Sequence, residues 1–393
     1  MNPSAHSRRQ FLRAAVALGG AGVLQACGST AGSATPVQPR ITPAVRRPAS
    51  GNNVLRIFAA SGYAEQANRI EIGLRRLYDA GFTITNQQAA YRRYQRFAGS
   101  DAERIADLQD VALGRVATPK VLMGLRGGYG AVRLLPHVDW ASLGTRMREQ
   151  GTLLFGFSDT TAIQMALLAR GNMPSFAGPM LYSEFGKPQP SVYTMQSFID
   201  STTRSNNTIH VAEIQSRSVR AEGVLWGGNL SVLASLAGSP YMPDISGGIL
   251  FLEDVGEQPY RIERMLQTLY MAGILGKQQA VVMGNFRMGT IRDVYDSSYN
   301  FNSVVNTMSR LAKVPVLTGF PFGHITNKTT FPLGAQARIE PMSGGGYSVA
   351  FGGYPTLDAN TLTLNTLLPP PPVLSDVFGG EAATTPEDRG DLE

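Results

Sequence analysis

Between residues 54 and 169, short apolar runs alternate with stretches of helical period. VLRIF (54–58) reads as a buried strand. A helix is predicted from Ala64 to Ala80, with Ala67, Ile70, Leu74 and Leu77 along one face and Gly81 suited to cap it. FTIT (82–85) is a second strand. Ser100-Asp101-Ala102-Glu103 is a capping box ahead of Ile105, Leu108 and Ala112, and Gly114 closes that helix. KVLMG (120–124) and TLLFG (152–156) are the third and fourth strands, and a helix continues from Ala162 to Ala169. Such a repeat predicts an α/β fold with a parallel sheet covered on both faces. Sites in these sheets gather at the carboxyl ends of strands. Two segments sit at such ends: Arg126-Gly127-Gly128-Tyr129-Gly130 after the third strand, and Phe157-Ser158-Asp159 after the fourth.

The chain has 393 residues, 43% of them hydrophobic and 16% charged, which suits two domains with a sizeable core. Residues 180–215 are less regular and read as a link. A second block, 216–368, holds the apolar run GGILFLED (247–254), a helix around Tyr260–Gly273, the strands AVVMG (280–284) and PVLTGF (315–320), and ARIEP and YSVAFGG as hairpin material. This block is expected to be a mixed, β-rich α/β domain. The boundaries that follow are 1–26 for an export signal, 27–51 for a tether, 52–205 and 206–368 for the two domains, and 369–393 for a disordered tail.

The formal charge of +6 could suggest a nucleic-acid partner. Residues 1–26 contribute Arg8, Arg9 and Arg13 and no acid, so without them 32 bases face 29 acids. With no extended basic cluster remaining, nucleic-acid binding is not expected. Ser7-Arg8-Arg9-Gln10-Phe11-Leu12 resembles the twin-arginine export signal. The 13 apolar-rich residues Ala14 to Ala26 are too few to span a bilayer and read as a signal h-region. Leu24-Gln25-Ala26-Cys27 resembles a lipoprotein lipobox, and Cys27 is the single cysteine of the chain. Cys27 is therefore the expected lipidation site, with residues 28–50 a Ser-, Thr- and Pro-rich tether. The expected location is periplasmic and membrane-anchored, and Gly28 after Cys27 favours the outer membrane by resemblance to other lipoproteins.

Ser158, at the tip of an apolar strand, is either a helix N-cap or a nucleophile. A nucleophilic serine needs a base, and the base an orienting acid. Outside the signal the histidines are His137, His210 and His324. His210 lies in an alternating strand-like stretch, His137 suits a surface or capping role, and His324 follows a strand end. Glu253 and Asp254 end the buried run ILFL; either is the candidate acid, and an ion pair with Arg261 or Arg264 competes with that role. The amide of Asp159 and the glycine loop 126–130 are candidate oxyanion donors. That loop is neither GxGxxG, since Arg133 stands where the last glycine belongs, nor a Walker loop. No metal motif such as HExxH is present, and no cofactor is expected.

GLRGGYGAVRLLPHVDW (124–140), GFSDTTAIQMALLARGN (156–172), FAGPM (176–180), AEGVLWGGNLSVL (221–233), GILFLEDVGEQPYRIERML (248–266) and FGH (322–324) together resemble the LD-carboxypeptidases, serine peptidases of bacterial cell-wall metabolism. The resemblance covers about residues 54–356. It implies a flavodoxin-like N-terminal domain, a β-rich C-terminal domain, a site between them, and a homodimer. It assigns Ser158 as nucleophile, Glu253 rather than Asp254 as acid, and His324 as base. The implied reaction releases terminal D-Ala from murein tetrapeptides, with the Asp159 and Gly128 amides holding the oxyanion. Arg126, with Gly127 beside it, is a candidate for the substrate carboxylate, and Trp226 a candidate cleft residue. A microcin-immunity-type peptidase of the same family and a non-catalytic muropeptide-binding lipoprotein are the alternatives. The family's well-known members lack an export signal, so this chain departs from them at its N-terminus.

Metabolic labelling with a fatty acid is expected to mark the wild-type protein and not Cys27→Ser. Equal label on both would exclude lipidation at Cys27.

Overall fold

The structure, a computed structural model, describes residues 53–357 and 362–369. The segments read as export signal and tether, Cys27 among them, and the tail from residue 370 lie outside the described residues. The first half runs β1 (Val54–Phe58), α1 (Ala67–Asp79), β2 (Thr83–Thr85), α2 (Asp101–Ala112), β3 (Val121–Gly124), α3 (Trp140–Gln150), β4 (Leu153–Gly156), α4 (Thr161–Gly171), β5 (Ser175–Ala177) and α5 (Val192–Thr203). The second runs β6 (Asn206–Val211), β7 (Ala221–Asn229), α6 (Leu230–Ser235), β8 (Ile249–Glu253), α7 (Pro259–Met271), β9 (Ala280–Met283), α8 (Phe301–Ala312), β10 (Val316–Leu317), β11 (Phe331–Leu333), β12 (Ala335–Pro341), β13 (Tyr347–Gly352) and α9 (Leu364–Leu367).

Two sheets form. The first has the order β11-β5-β4-β3-β1-β2, parallel except for β11. Its strands β3 and β4 are buried at every position, as a sheet covered on both faces requires. The second has the order β10-β9-β8-β7-β12-β13-β6. Its β7, β8, β9 and β10 are parallel, while β12, β13 and β6 join antiparallel. The expected capping box opens α2: Ser100 accepts from the Glu103 amide, and Glu103 accepts from the Ser100 amide.

Two features differ from the sequence reading. Residues 180–215 are more regular than expected. They hold a π-turn (Leu181–Phe185), the twelve-residue α5 capped by Ser191, and the edge strand β6. The buried face of α5 mixes Met195 and Phe198 with Thr194, Ser197, Ser201 and Thr202, so its apolar period is weak. The other difference is β11, which lies far along the chain yet pairs antiparallel with β5 of the first sheet, Phe331 opposite Ala177. One residue later the chain enters β12 of the second sheet. Gly334 makes this switch at φ +95°, where a Cβ would come within 2.8 Å of Leu168 Cδ1.

Aromatic side chains fill the space between the sheets. Phe251 of β8 packs edge-on against Phe320, Phe322 and Phe331, with ring centroids 5.5, 5.7 and 4.9 Å away. Phe322 also packs edge-on against Phe157 at 5.7 Å. Phe251 is fully buried. Phe251→Ala is expected to cost about 3–5 kcal/mol, the range for emptying a buried phenylalanine site. The urea unfolding midpoint measures it, and a loss well under 1 kcal/mol would mean that this cluster does not hold the sheets together.

Candidate active site

Ser158 follows β4 through Phe157, whose backbone is extended, and itself takes φ +60°. A non-glycine residue held there is strained, and such strain persists only where the surroundings enforce it. The enforcement comes from the next residue. Asp159 is 3% exposed, and its Oδ2 accepts from Ser61 Oγ at 2.6 Å and from the Ala131 amide at 2.8 Å. Ser61 lies just beyond β1, and Ala131 directly follows the glycine loop. One carboxylate therefore ties the ends of three neighbouring strands together. Arg104 of α2 supports the same loop, donating to the carbonyls of Ala60 and Gly130.

Gly127 packs directly on Ser158: a Cβ there would fall 2.8 Å from both Cβ and Oγ of the serine and 3.8 Å from the Asp159 nitrogen. The Gly127 carbonyl accepts from the Gly62 amide at 3.2 Å, and Gly128 takes φ +119° beside Gly62. The backbone of Gly127 and Gly128 is thus held next to the serine and the Asp159 amide.

His324 arrives from the second half of the chain. Its Nδ1 lies 2.9 Å from Glu253 Oε2, and both side chains are buried. Its ring also meets the Phe157 ring edge-on at 5.3 Å. Asn229, which ends β7 as Glu253 ends β8, donates to Glu253 Oε1 at 3.3 Å and to Asp254 Oδ1 at 3.2 Å. Asp254 Oδ2 accepts from the Ser231 amide at 2.9 Å. Burial, and next the charge of Glu253, push the Asp254 carboxyl up to about 6. The Asn229 amide donates to Thr161 Oγ1 at 3.0 Å, fastening β7 to the helix that follows the serine. Arg261 pairs with Glu257, 3.6 Å away, rather than with Glu253.

Ser158 and His324 line the same cleft of about 320 Å³, together with Gly128, Tyr129, Asn229 and Asp254. They also line a smaller cavity with Arg126, Gly127 and Met180. The Arg126 guanidinium is mostly buried and donates to the Tyr63 carbonyl at 3.2 Å. The structure thus brings Ser158, Asp159, Glu253, His324, Arg126, Gly127 and Gly128 to one place. Trp226 does not join them. It is fully buried in β7, with Nε1 donating to Gln278 Oε1 at 3.0 Å, and is a core residue rather than a cleft residue. His137 and His210 are exposed elsewhere. Among the described residues, no group of three or more His, Cys, Asp or Glu could hold a metal ion.

Sequence reasoning passed over Asn229, Ser61, Arg104 and the buried pair of Lys328 with Glu184. Asn229 had one legible signal: a polar residue ending an apolar strand, as Glu253 does. The others are joined only by long-range contacts.

A serine at a strand end, lining one cleft with a histidine held by a buried carboxylate, is the arrangement of serine peptidases. Known proteins place the chain among carboxypeptidase-like peptidases. The LD-carboxypeptidase N-terminal domain matches residues 55–178, and the LD-carboxypeptidase C-terminal domain matches residues 222–339. The crystal structure of muramoyltetrapeptide carboxypeptidase from Oxalobacter formigenes is 38% identical, with a TM-score of 0.69, over 77% of this chain and 100% of that one. The murein tetrapeptide carboxypeptidase of Pseudomonas aeruginosa is 28% identical over 281 residues, 69% of this chain and 88% of that protein. The microcin C7 self-immunity protein of Escherichia coli is 25% identical over 334 residues, 76% of this chain and 93% of that protein. The chain belongs to the LD-carboxypeptidase family.

Burial pushes the Asp159 carboxyl from its ordinary 3.8 up to about 6. Between those values the folded protein binds more protons than the unfolded chain. Stability from this group is therefore greatest below 3.8, falls as pH rises through 6, and is level above. Asp254 acts with the same sign. Asp159→Asn is expected to flatten the decline in urea midpoint between about pH 4 and pH 7, where a shift of two units is worth at most about 3 kcal/mol. An unchanged decline would exclude Asp159 as its source.

Proposed function

We propose that this peptidase is a serine carboxypeptidase that hydrolyses the amide before the terminal D-Ala of murein tetrapeptides. We further propose that it acts from the periplasmic side, tethered by lipid on Cys27. The observation that carries the catalytic reading is the cleft itself, lined by strained Ser158 and by His324, which is bonded to buried Glu253. The names of the Oxalobacter and Pseudomonas relatives support the substrate.

In this reading Nδ1–H of His324 donates to Glu253, which leaves Nε2 as the proton acceptor. Ser158 Oγ attacks the carbonyl carbon of the amide before D-Ala as Nε2 takes its proton. Negative charge develops on the carbonyl oxygen, and the amides of Asp159 and Gly128 receive it. The amide bond then breaks, and the imidazolium returns its proton to the departing D-Ala nitrogen. Water, deprotonated by the same Nε2, releases the acyl group and restores Ser158. Glu253 stabilises the charged imidazole, and Asn229 holds Glu253 from the side away from the ring. Arg126 lines the smaller cavity beside Ser158, which supports it as the group that binds the free carboxylate of D-Ala.

A peptidyl-nucleotide substrate is the second reading. Tyr129 favours it, being 47% exposed and on the cleft wall where a base could stack.

Incubation with murein tetrapeptide, followed by mass spectrometry, is expected to show D-Ala release by the wild type. Ser158→Ala should lose on the order of 10⁶ in turnover. Equal release by both would exclude Ser158 as the nucleophile. Binding without release would favour a muropeptide-binding lipoprotein, and cleavage of a peptidyl-adenylate analogue alone would favour the nucleotide reading.

A further inference from the structure

Arg217, Arg310 and Lys313 line one groove of about 870 Å³, and no aspartate or glutamate lines it with them. The groove shares no residue with the cleft at Ser158. One wall is α8, whose sequence FNSVVNTMSRLA holds no acid. The other is the segment that leads into β7. Gln215 fixes that segment: its amide donates to the Gly345 carbonyl at 2.9 Å, and its side chain bonds the amide and the carbonyl of Thr318 at 3.0 and 3.3 Å. Ser216 and Arg217 follow directly, so a held backbone presents them beside α8. The acid nearest in that segment, Glu213, is occupied by Thr318, whose hydroxyl donates to it at 2.5 Å.

Part of this charge has a local reason and part does not. Arg310 and Lys313 close α8, where cations complement the helix dipole. Arg217 belongs to another segment and has no such reason. Lys313 also takes φ +55°, a conformation that glycine or asparagine adopts at a helix end with less cost, so the lysine stands there against backbone strain. Among the described residues, none of the three cations forms an ion pair. Three like charges in one groove repel one another unless an anion answers them. Ser216 and Thr307 add hydroxyls and Asn306 a side-chain amide, and among the described residues none of these is committed to another group.

We propose that this groove is a second ligand site, which takes the phosphate ester of a polyol. The inference does not depend on the carboxypeptidase reading. A phosphate offers several acceptor oxygens: a planar guanidinium binds two at once, and the Lys313 ammonium serves as a compact point charge. The groove is larger than a phosphate alone, and its hydroxyls and amide suit the hydroxyl groups of the alcohol. No aromatic ring lines it, so a nucleobase would find nothing to stack on. A soluble sugar phosphate and the glycerophosphate headgroup of an anionic lipid both carry this chemistry.

Calorimetry of the full chain with glycerol 3-phosphate is expected to show binding that Arg217→Gln weakens about tenfold or more, the scale of one charge-assisted hydrogen bond. Combining Arg217→Gln with Arg310→Gln and Lys313→Gln should abolish it. Removing three charges elsewhere, with Arg75→Gln, Arg115→Gln and Arg170→Gln, should leave it unchanged. Unfolding midpoints check that each variant is folded. An equal loss in both triple variants would reduce the effect to net charge and overturn the site. Glycerate bound as tightly as glycerol 3-phosphate would overturn the phosphate assignment. Co-sedimentation with vesicles of phosphatidylglycerol in phosphatidylcholine, against phosphatidylcholine alone, distinguishes the sources. A gain on the charged vesicles that the Arg217 triple variant removes assigns the lipid headgroup, and glycerol 3-phosphate binding without that gain assigns a soluble ester. No binding in either arm overturns the proposal.

Discussion

A carboxylate at the end of a buried strand is costly unless something answers its charge. Glu253 sits at that position, and the answer comes from His324, 71 residues further along the chain. Much of the second half of the molecule serves to deliver that imidazole. The phenylalanines before it, Phe320 and Phe322, anchor in the cluster around Phe251. The segment after it is fastened to α5: the Lys328 amide donates to Thr194 Oγ1, the Thr330 amide to Ser197 Oγ, and Ser201 Oγ to the Thr330 carbonyl. Held on both sides, His324 has little freedom to leave Glu253.

The serine side of the cleft is held by a different device. A left-handed backbone at Ser158 would relax if the turn were isolated. Asp159 prevents this by bonding Ser61 and Ala131 at once, so the turn, the end of β1 and the glycine loop share one buried acceptor. The carboxyl accepts these bonds at the cost of burial, which is why its proton affinity is raised. The acid after the serine is thus a structural residue that fixes the backbone around the serine. Gly127 completes the arrangement because no side chain fits between that loop and Ser158.

The two halves of the site meet through polar contacts as well as aromatic ones. Asn229 reaches Glu253 and Asp254 with its side chain and Thr161 with its amide, so one residue connects the acid to the helix behind the nucleophile. Lys328 pairs with buried Glu184 and places its ammonium 4.3 Å from the centre of the Phe157 ring. These contacts join the segments that carry the histidine and its acid to those around the serine.

Local physics determined a good deal from the sequence by itself. The strands β1, β3, β4, β8 and β9, the capping box of α2, and the positions of Ser158 and Glu253 at strand ends all follow from apolar runs and their punctuation. The ordered motifs around those strands also carried the family. Other features were set only by tertiary structure. The return of β11 to the first sheet, the irregularly patterned α5 and the burial of Trp226 depend on partners distant in sequence. The same holds for the choice of His324 by contact and for the gathering of Arg217 with Arg310 and Lys313 in one groove. A strand end can be read from a few neighbouring residues, because backbone hydrogen bonding and side-chain alternation are local. Which strand ends converge, and with what charge between them, is decided by packing across the whole chain.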